Sequence, residues 1–167
     1  MGGVYMEYWD IYNADRIKTG KIIKRGEHLN DDEYHIVVNA WILRKDGKYL
    51  ISQRNEKKTH PLMWEVTGGS ILKGETSLEG VLREVKEELN IDLKKEEAKL
   101  IGSKKRYYKG CPDILDVYLF LVDDSNFNIK IQEEEVKNYK WASCEEIKQL
   151  KEHGQFETTA FFDTFIK

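Results

Sequence analysis

Three glutamates are spaced so that they share one face of a predicted helix. At 100° per residue, Glu84, Glu87 and Glu88 fall on an arc away from the apolar stripe of the segment Thr76–Leu89. Like charges at this spacing destabilise a helix, whereas a divalent cation bound between them would turn the repulsion into affinity. The pattern therefore indicates a metal site, and a solvated acidic helix face is the plainer alternative.

Glycines stand just before this helix. Gly68 and Gly69 follow the strand-like segment Trp64–Thr67, and Gly74 precedes Glu75. Glycine lets backbone carbonyls and amides approach a ligand closely. A glycine turn leading into an acidic helix would suit a diphosphate–metal site, and two ordinary tight turns are the alternative.

Three helices are predicted to support this arrangement. Two of them begin at capping boxes, in which a Thr or Ser is followed three residues later by Glu79 or Glu146. The predicted helices span Thr76–Leu89, Ser143–His153 and Thr159–Phe165.

Runs of β-branched and aromatic residues predict the strands. The first two would form an N-terminal hairpin over about residues 8–23. Strands mixed with a few helices predict a sheet sandwiched between helices. The predicted strands are Tyr8–Tyr12, Lys21–Ile23, His35–Leu43, Tyr49–Arg54, Leu100–Tyr108, Ile114–Val122, Phe127–Ile131 and Tyr139–Ala142.

Length and charge limit the classes of protein to consider. A chain of 167 residues predicts one domain over residues 1–167, and a net charge of −3 argues against nucleic acid polymers and anionic membranes as partners. The longest uncharged run, Tyr34–Leu43, is too short to cross a bilayer. Cys111 and Cys144 have no metal-site spacing, and no secretory signal is visible, so we expect a cytoplasmic protein. Monomer and homodimer are both compatible with the sequence.

Together, the residues Gly69–Ile91 resemble the Nudix box. In that pattern Gly is followed after five residues by Glu, and after seven more by Arg-Glu, an aliphatic residue, any residue, Glu-Glu, any residue, Gly and an aliphatic residue. Here Glu75 and Arg83 stand at the matching places, and the helix continues Glu84-Val85-Lys86-Glu87-Glu88-Leu89. The one departure is Asn90 in place of Gly, at a position that needs the left-handed backbone that Asn tolerates.

The resemblance implies a fold, a cofactor and a reaction. The fold is α+β, with a mixed β-sheet between α-helices. The cofactor is Mg²⁺ or Mn²⁺, and the substrate is a small molecule with a diphosphate group. The implied enzyme is a Nudix pyrophosphohydrolase. It would hydrolyse a diphosphate linkage in a nucleoside diphosphate linked to another moiety, or in a related small molecule, by attack of water at phosphorus.

The resemblance also implies roles for the residues of the box. Glu84, Glu87 and Glu88 would hold the cation, and the carbonyl of Gly68 is a further candidate ligand. Two further residues would act beside these ligands. Arg83 would hold Glu75 and Glu84 in position or bridge to phosphate, and Glu75 would bind a metal through water.

For the general base and for the substrate contacts, the sequence leaves more than one candidate interpretation. The base is either a box glutamate or one of Glu133, Glu134 and Glu135, which also read as a solvated acidic turn. Basic residues that could meet phosphate, or else be surface charges, are Arg54, Lys57, Lys58, Lys105 and Arg106. Trp64 and Tyr108 could stack on a base or belong to the core.

Outside the box, the chain resembles the Nudix branch that contains isopentenyl-diphosphate isomerase and its hydrolase relatives. The shared layout includes the N-terminal hairpin, a His before the long strand and a Pro three residues before Trp64. His28 and His35 have the spacing of two metal-binding histidines of the isomerase. However, Trp64–Ser70 lacks the isomerase's catalytic Cys and its further His, and Asp116 could match only one of its two strand glutamates. We therefore expect a hydrolase in which both histidines are structural.

Two other functions stay as alternatives. One is an isomerase-like enzyme. The other is a non-catalytic nucleotide-binding Nudix module, which is disfavoured because such modules usually lose box acids or carry a DNA-binding domain.

Overall fold

The computed structural model describes residues 6–108, 110–123, 127–157 and 160–165. Its strands are β1 (Tyr8–Tyr12), β2 (Lys18–Lys24), β3 (His35–Arg44), β4 (Tyr49–Arg54), β5 (Trp64–Glu65), β6 (Gly68–Ser70), β7 (Ala98–Tyr108), β8 (Cys111–Val122) and β9 (Val136–Ala142). Its α-helices are α1 (Ser77–Leu89), α2 (Cys144–Glu152) and α3 (Phe162–Phe165), with a 3₁₀ turn at Lys95–Glu97.

Seven of these strands form one mixed sheet. Its main path is β5-β4-β3-β8-β7, with β6 paired to β3 and β9 paired to β4. The central pair, β3 and β8, is parallel from His35↔Asp113 to Arg44↔Val122, and the other pairs are antiparallel. Strands β1 and β2 form a separate antiparallel hairpin. The predicted mixed sheet is confirmed.

Helices cover both faces of the sheet. Successive strand residues point to opposite faces, so β3 contributes to a core on each side. On one side Val85 of α1 is packed with Val38 of β3. On the other side Trp41 of β3 stacks on Phe162 of α3 at 4.7 Å, beside Ile147 of α2. The prediction of a sheet between helices is therefore confirmed. Within the described ranges, no helix has the length and apolarity that a membrane span requires.

Local signals place the ends of α1 as predicted. Thr76 and Glu79 form a reciprocal capping box at its start. Asn90 ends it in the left-handed region, at φ 57° and ψ 31°, so the replacement of the box Gly leaves the backbone geometry intact. The second predicted capping box, Ser143 with Glu146, is also present, at the start of α2.

The structure differs from two predictions for the later part of the chain. The strand predicted at Phe127–Ile131 is wrong, because this segment is not in the sheet. Its backbone instead satisfies the end of α1, where the N–H of Lys130 donates to the carbonyl of Leu89 at 3.1 Å. The third predicted helix is observed only at Phe162–Phe165, and Thr159 lies outside the described residues.

The N-terminal hairpin is fixed to the elements around the acidic helix. The carboxylate of Asp10 accepts a hydrogen bond from the N–H of Gly74 at 2.9 Å, just before α1. At the hairpin's turn, Arg16 makes a two-point ion pair with Asp116, a side chain with no exposed surface in the middle of β8. The hairpin is therefore placed beside the segment that enters α1.

Candidate active site

A single arginine organises the acids of α1. The Nε of Arg83 lies 2.7 Å from Glu75 Oε1, and its Nη1 lies 3.1 Å from Glu84 Oε1 and 2.9 Å from Glu87 Oε2. Its Nη2 donates to the carbonyl of Ser70 at 3.1 Å. Arg83 thus contacts both Glu75 and Glu84, as the sequence predicted. The positive charge of Arg83 therefore compensates these acids in part, whereas the sequence pattern indicated repulsion without a compensating charge.

The three glutamates differ in their surroundings, which the helical arc did not predict. Glu87 is half exposed, whereas Glu88 is 4 % exposed and its Oε2 has no hydrogen-bond partner among the described residues. The reason is that the chain after residue 127 covers the end of α1, where the N–H of Gln132 donates to the carbonyl of Glu88 at 3.0 Å. Only Glu87 therefore fits the expectation of an acid that points away from buried surroundings.

Burial also changes the acidity of two of these groups. Desolvation raises the pKa of Glu84 to about 7, although Arg83 opposes the change. Burial raises the pKa of Glu88 well above its usual range, and the negative charges of Glu84 and Glu65 act in the same direction. Both carboxylates are costly to keep ionised without a cation nearby.

The glycines of β6 make the close approach to these acids possible. A Cβ atom on Gly69 would lie 2.4 Å from Glu84 Oε1, and one on Gly68 would lie 2.1 Å from the carbonyl oxygen of Val38 on β3. No other residue fits at either place without displacing a neighbour. The strand–glycine–helix arrangement therefore brings backbone directly against the acidic face.

A small cavity lies between β6 and α1. Its volume is about 120 Å³, and carboxylates dominate its wall. It is lined by Gly68, Gly69, Ser70, Glu84, Glu87, Glu88, Glu7, Arg25, Lys58, Gln132 and Glu135.

These residues suit a divalent cation in their chemistry. Hard cations take oxygen ligands. The buried Oε2 of Glu88 lacks a partner from any described residue. As the side chains stand, no three His, Cys, Asp or Glu residues of the described ranges are placed to hold an ion. Arg83 accounts for this in part, because it engages one oxygen each of Glu84 and Glu87. The other oxygen of each remains for a ligand.

A larger cavity of about 310 Å³ adjoins the small one. The two share the wall made by Gly68–Ser70, Arg25 and Lys58. Polar side chains that contact one another in pairs line the larger cavity. Arg54 contacts Glu65 at 2.6 Å, and Arg106 makes a two-point contact with Asp113 at 2.7 and 2.8 Å. The Tyr108 hydroxyl donates to Glu157 Oε2 at 2.6 Å.

One side of the larger cavity is aromatic. Trp9 of the hairpin stacks on His35 with ring centroids 4.1 Å apart and an interplanar angle of 7°. The Nδ1 of His35 lies 3.2 Å from the carbonyl oxygen of Pro112, and burial lowers the pKa of His35 to about 4. His35 is therefore neutral and packed, in keeping with the predicted structural role, whereas His28 is exposed.

The structure brings together only part of the predicted substrate contacts. Arg54, Lys58, Arg106 and Tyr108 line the larger cavity. Three others line neither cavity. Lys57 is exposed, the Nζ of Lys105 donates to the carbonyl of Ala14, and Trp64 lies under the Nζ of Lys140 at 5.0 Å from its ring centroid.

The predicted acids outside the metal-binding set also lie in different places. Glu135 lines the small cavity, where its Oε2 lies 2.5 Å from Lys58 Nζ. Glu133 and Glu134 are exposed and line neither cavity. Glu75 faces Arg83 and accepts a hydrogen bond from the N–H of Leu72 at 2.8 Å, so it supports the site from outside the cavities.

Several site residues were missed by the sequence reasoning. They come from separate elements, and no local spacing connects them. The one available signal was Glu65, an acid inside a short strand that also contains Trp64. The missed residues are Glu7, Trp9, Arg25, Glu65, Cys111, Asp113 and Glu157.

Comparison with known proteins identifies the family. The NUDIX domain model matches residues 33–162. The chain belongs to the NUDIX family. It is 35 % identical over 154 residues to an uncharacterized Nudix hydrolase of Listeria monocytogenes, covering 90 % of this chain and 88 % of that protein. It is 32 % identical to the CTP pyrophosphohydrolase of Escherichia coli, covering 68 % of this chain and 80 % of that protein.

The solved structure of a NUDIX hydrolase from Nitrosomonas europaea supports the Nudix fold, with a TM-score of 0.63 over 78 % of this chain and 84 % of that one at 20 % identity. A second solved structure matches nearly the whole chain. The crystal structure of DR0079 from Deinococcus radiodurans superposes with a TM-score of 0.74, covering 95 % of this chain and 96 % of that one at 21 % identity. With the Nudix relatives, the findings establish a Nudix pyrophosphohydrolase, from a family that acts on pyrophosphate bonds of nucleoside diphosphate derivatives. Nudix hydrolases generally need divalent metal ions.

Proposed function

We propose that this Nudix enzyme uses Mg²⁺ or Mn²⁺ to hydrolyse a diphosphate linkage in a nucleoside diphosphate linked to another moiety, or in a related small molecule. The observation that carries the proposal is the small cavity. Glu84, Glu87 and Glu88 line it together with the glycine strand Gly68–Ser70, and the buried Oε2 of Glu88 has no partner within the described ranges. The adjoining larger cavity leaves room for the group attached to the diphosphate.

Four residues that line the small cavity, and Arg83 beside them, have named parts in this proposal. Glu84, Glu87, Glu88 and the carbonyl of Gly68 would hold the cation. When bound, the cation would offset phosphate charge and acidify a water molecule. Arg83 fixes the orientation of two of the acids through its short contacts.

A carboxylate must take the proton from the attacking water. Box glutamates stand on one wall of the small cavity. Glu135 stands on another, and of the three acids predicted in its segment it alone lines the cavity. Glu135→Gln distinguishes the two choices. If Glu135 is the base, turnover falls by about 10² or more, and if a box glutamate is the base, most turnover remains.

The direct test is a substrate screen with Mg²⁺ or Mn²⁺. Released phosphate and pyrophosphate are measured for nucleoside triphosphates, nucleotide sugars, ADP-ribose, dinucleotides and prenyl diphosphates. We expect metal-dependent release from at least one compound. Absence of release from every compound with either metal would contradict the proposal.

The isomerase-like alternative has less support in the structure. Asp116, the residue that could match one isomerase glutamate, is fully buried and accepts hydrogen bonds from Arg16, Ser103 and Ser77. Its carboxylate is therefore engaged in holding the hairpin. Isopentenyl diphosphate is included in the screen and followed by NMR, where we expect no migration of the double bond.

A non-catalytic module is also disfavoured, because Glu84, Glu87 and Glu88 of the box all line the small cavity. The proposal further places the enzyme in the cytoplasm. Cys111 and Cys144 are free in this structure, as a reducing compartment allows.

A further inference from the structure

The N-terminal hairpin forms part of the wall of both cavities. It precedes residues 33–162, the range that the family model matches. Trp9 of β1 lines the larger cavity, and Arg25, directly after β2, lines both cavities. The hairpin is held in place by the contact of Gly74 with Asp10 and by the ion pair of Arg16 with Asp116. It is therefore positioned to contact whatever occupies the site.

Trp9 carries a donor for which the described residues supply no acceptor. Its side chain is 7 % exposed and stacked on His35, yet its Nε1–H has no hydrogen-bond partner among the described residues. A buried N–H group without an acceptor is unfavourable, so such groups are normally paired. A ligand in the larger cavity that brings an acceptor would satisfy it.

Arg25 stands where the two cavities meet. Its Nη1 lies 2.6 Å from Glu7 Oε2, and the Arg25 side chain is 61 % exposed. Lys58, which also lines both cavities, lies at the same junction. A guanidinium offers two parallel donors that match phosphate oxygens, and the exposed side chain is accessible to a ligand.

We infer that the hairpin belongs to the substrate site, with Arg25 on a phosphate oxygen at the junction and the Trp9 indole N–H donating to the group beyond it. This inference rests on the proposed function, since it assumes that a diphosphate spans the junction. The attached group would then carry a hydrogen-bond acceptor such as a hydroxyl or carbonyl oxygen. A hydrocarbon chain would leave Trp9 unpaired and would lie against the polar contacts of Arg54 with Glu65 and Arg106 with Asp113.

Three variants test this in the full chain. Trp9→Phe removes the N–H and keeps a ring against His35. Arg25→Gln removes the charge from an exposed position. Lys24→Gln is the matched control, because Lys24 is the exposed neighbour of Arg25 and lines neither cavity. Turnover with Mg²⁺ is measured on CTP, ADP-ribose, UDP-glucose and geranyl diphosphate.

The two hairpin variants should differ in the substrates that they affect. Arg25→Gln should raise KM about tenfold for every compound hydrolysed, with kcat little changed, because one charged hydrogen bond is lost. Trp9→Phe should raise KM up to about tenfold for the three nucleotides and leave geranyl diphosphate unaffected. Lys24→Gln should leave every KM unchanged.

Several results would overturn the inference. They are geranyl diphosphate as the best substrate, an unchanged KM in Arg25→Gln, or a folded Trp9→Phe whose KM is unchanged for every compound or raised equally for all four. If Trp9→Phe does not fold, as judged by its melting temperature, the Arg25→Gln result decides alone.

A binding measurement separates this inference from the proposed function. UDP-glucose is titrated calorimetrically into wild type and variants in EDTA, where no turnover is needed. If no compound is hydrolysed but Arg25→Gln weakens binding and Lys24→Gln does not, the hairpin inference stands and the hydrolytic proposal fails. Equal binding by wild type and Arg25→Gln, or no detectable binding at millimolar concentrations, overturns the inference.

Discussion

The guanidinium of Arg83 contacts three carboxylates and one backbone carbonyl, so it holds the acidic face of α1 together. Within that face the acids are unequal. Glu87 is half exposed, whereas Glu88 is buried, and one of its oxygens has no partner in the part of the chain that the structure describes. A substitution at Glu87 therefore tests charge with little disturbance of packing.

Glu87→Gln should separate catalysis from stability. The substitution keeps the shape of the side chain and removes its charge, and an exposed ion pair such as that with Arg83 contributes little to stability. We expect turnover to fall by about 10² or more, because a group that holds the metal contributes on that order. The melting temperature without metal should hardly change.

Glu79→Gln is the matched control on the same helix. Glu79 closes the capping box with Thr76 and lies outside both cavities, and Gln can also close such a box. Most activity should remain. Equal losses of turnover in the two variants would remove the special role of the acidic face.

His35 should make stability depend on pH in the acid range. Burial lowers its pKa to about 4 in the folded chain, against an ordinary value of about 6.5. Between these values the unfolded chain binds a proton that the folded chain does not, so the free energy of unfolding falls as pH falls. The full effect is about 3 kcal/mol.

The comparison for this prediction is His35→Phe, which keeps a ring against Trp9. Urea unfolding at pH 7 and at pH 4.5 gives the stability difference between wild type and variant at each pH. Glu84 and Glu88 titrate with the opposite sign, because their folded pKa values are raised, but they are common to both proteins and cancel in the difference. A wild-type advantage that does not shrink at low pH would contradict the prediction.

The short strand β6 connects two elements through its two glycines, and each glycine meets a different neighbour. A Cβ on Gly69 would meet the end of the Glu84 side chain at 2.4 Å, which can turn aside. A Cβ on Gly68 would meet the backbone carbonyl of Val38 at 2.1 Å, which cannot move without separating β6 from β3.

Alanine substitutions at these two glycines should therefore have different effects. Gly69→Ala should reduce turnover by displacing Glu84, with a modest change in melting temperature. Gly68→Ala should lower the free energy of unfolding by several kcal/mol, as overpacking against backbone does. Melting temperature and turnover are measured for both variants. A Gly69→Ala enzyme with full activity would show that the position of Glu84 is unimportant.

The elements that the sequence predicted well carry their own local signals. Helix α1 has an apolar stripe, a capping box and the left-handed Asn90, all within one short segment. The segment Phe127–Ile131 has strand-like residues, but its apolar side chains pack on the core beside α1, and the N–H of Lys130 donates to the carbonyl of Leu89. The periodicity of the sequence could not show that this segment packs against the end of α1. Tertiary contacts decide whether such a segment joins a sheet or covers a helix end.

At the scale of the molecule, the cavities are formed where the hairpin, β6, α1 and the segment before β9 meet. The box could be found in the sequence because its residues are consecutive. Asp113 and Glu157 could not, because they become neighbours of Glu65 only after β5, β8 and the chain after α2 are packed together. A ligand at the junction therefore contacts elements that are distant in sequence.

This arrangement predicts that a divalent cation stabilises the whole fold. A ligand that binds only the folded chain, at 100 times its Kd, adds about 2.7 kcal/mol. For a domain of this size that corresponds to a rise in melting temperature of about 5 to 10 °C. Glu88→Gln should begin from a higher melting temperature without metal, because a buried carboxylate without a partner is removed, and should gain less on addition of Mg²⁺. Glu79→Gln should show the full wild-type rise. A wild-type melting temperature that does not change up to millimolar Mg²⁺ or Mn²⁺ would show that these acids do not form a metal site, since the linkage follows from binding alone.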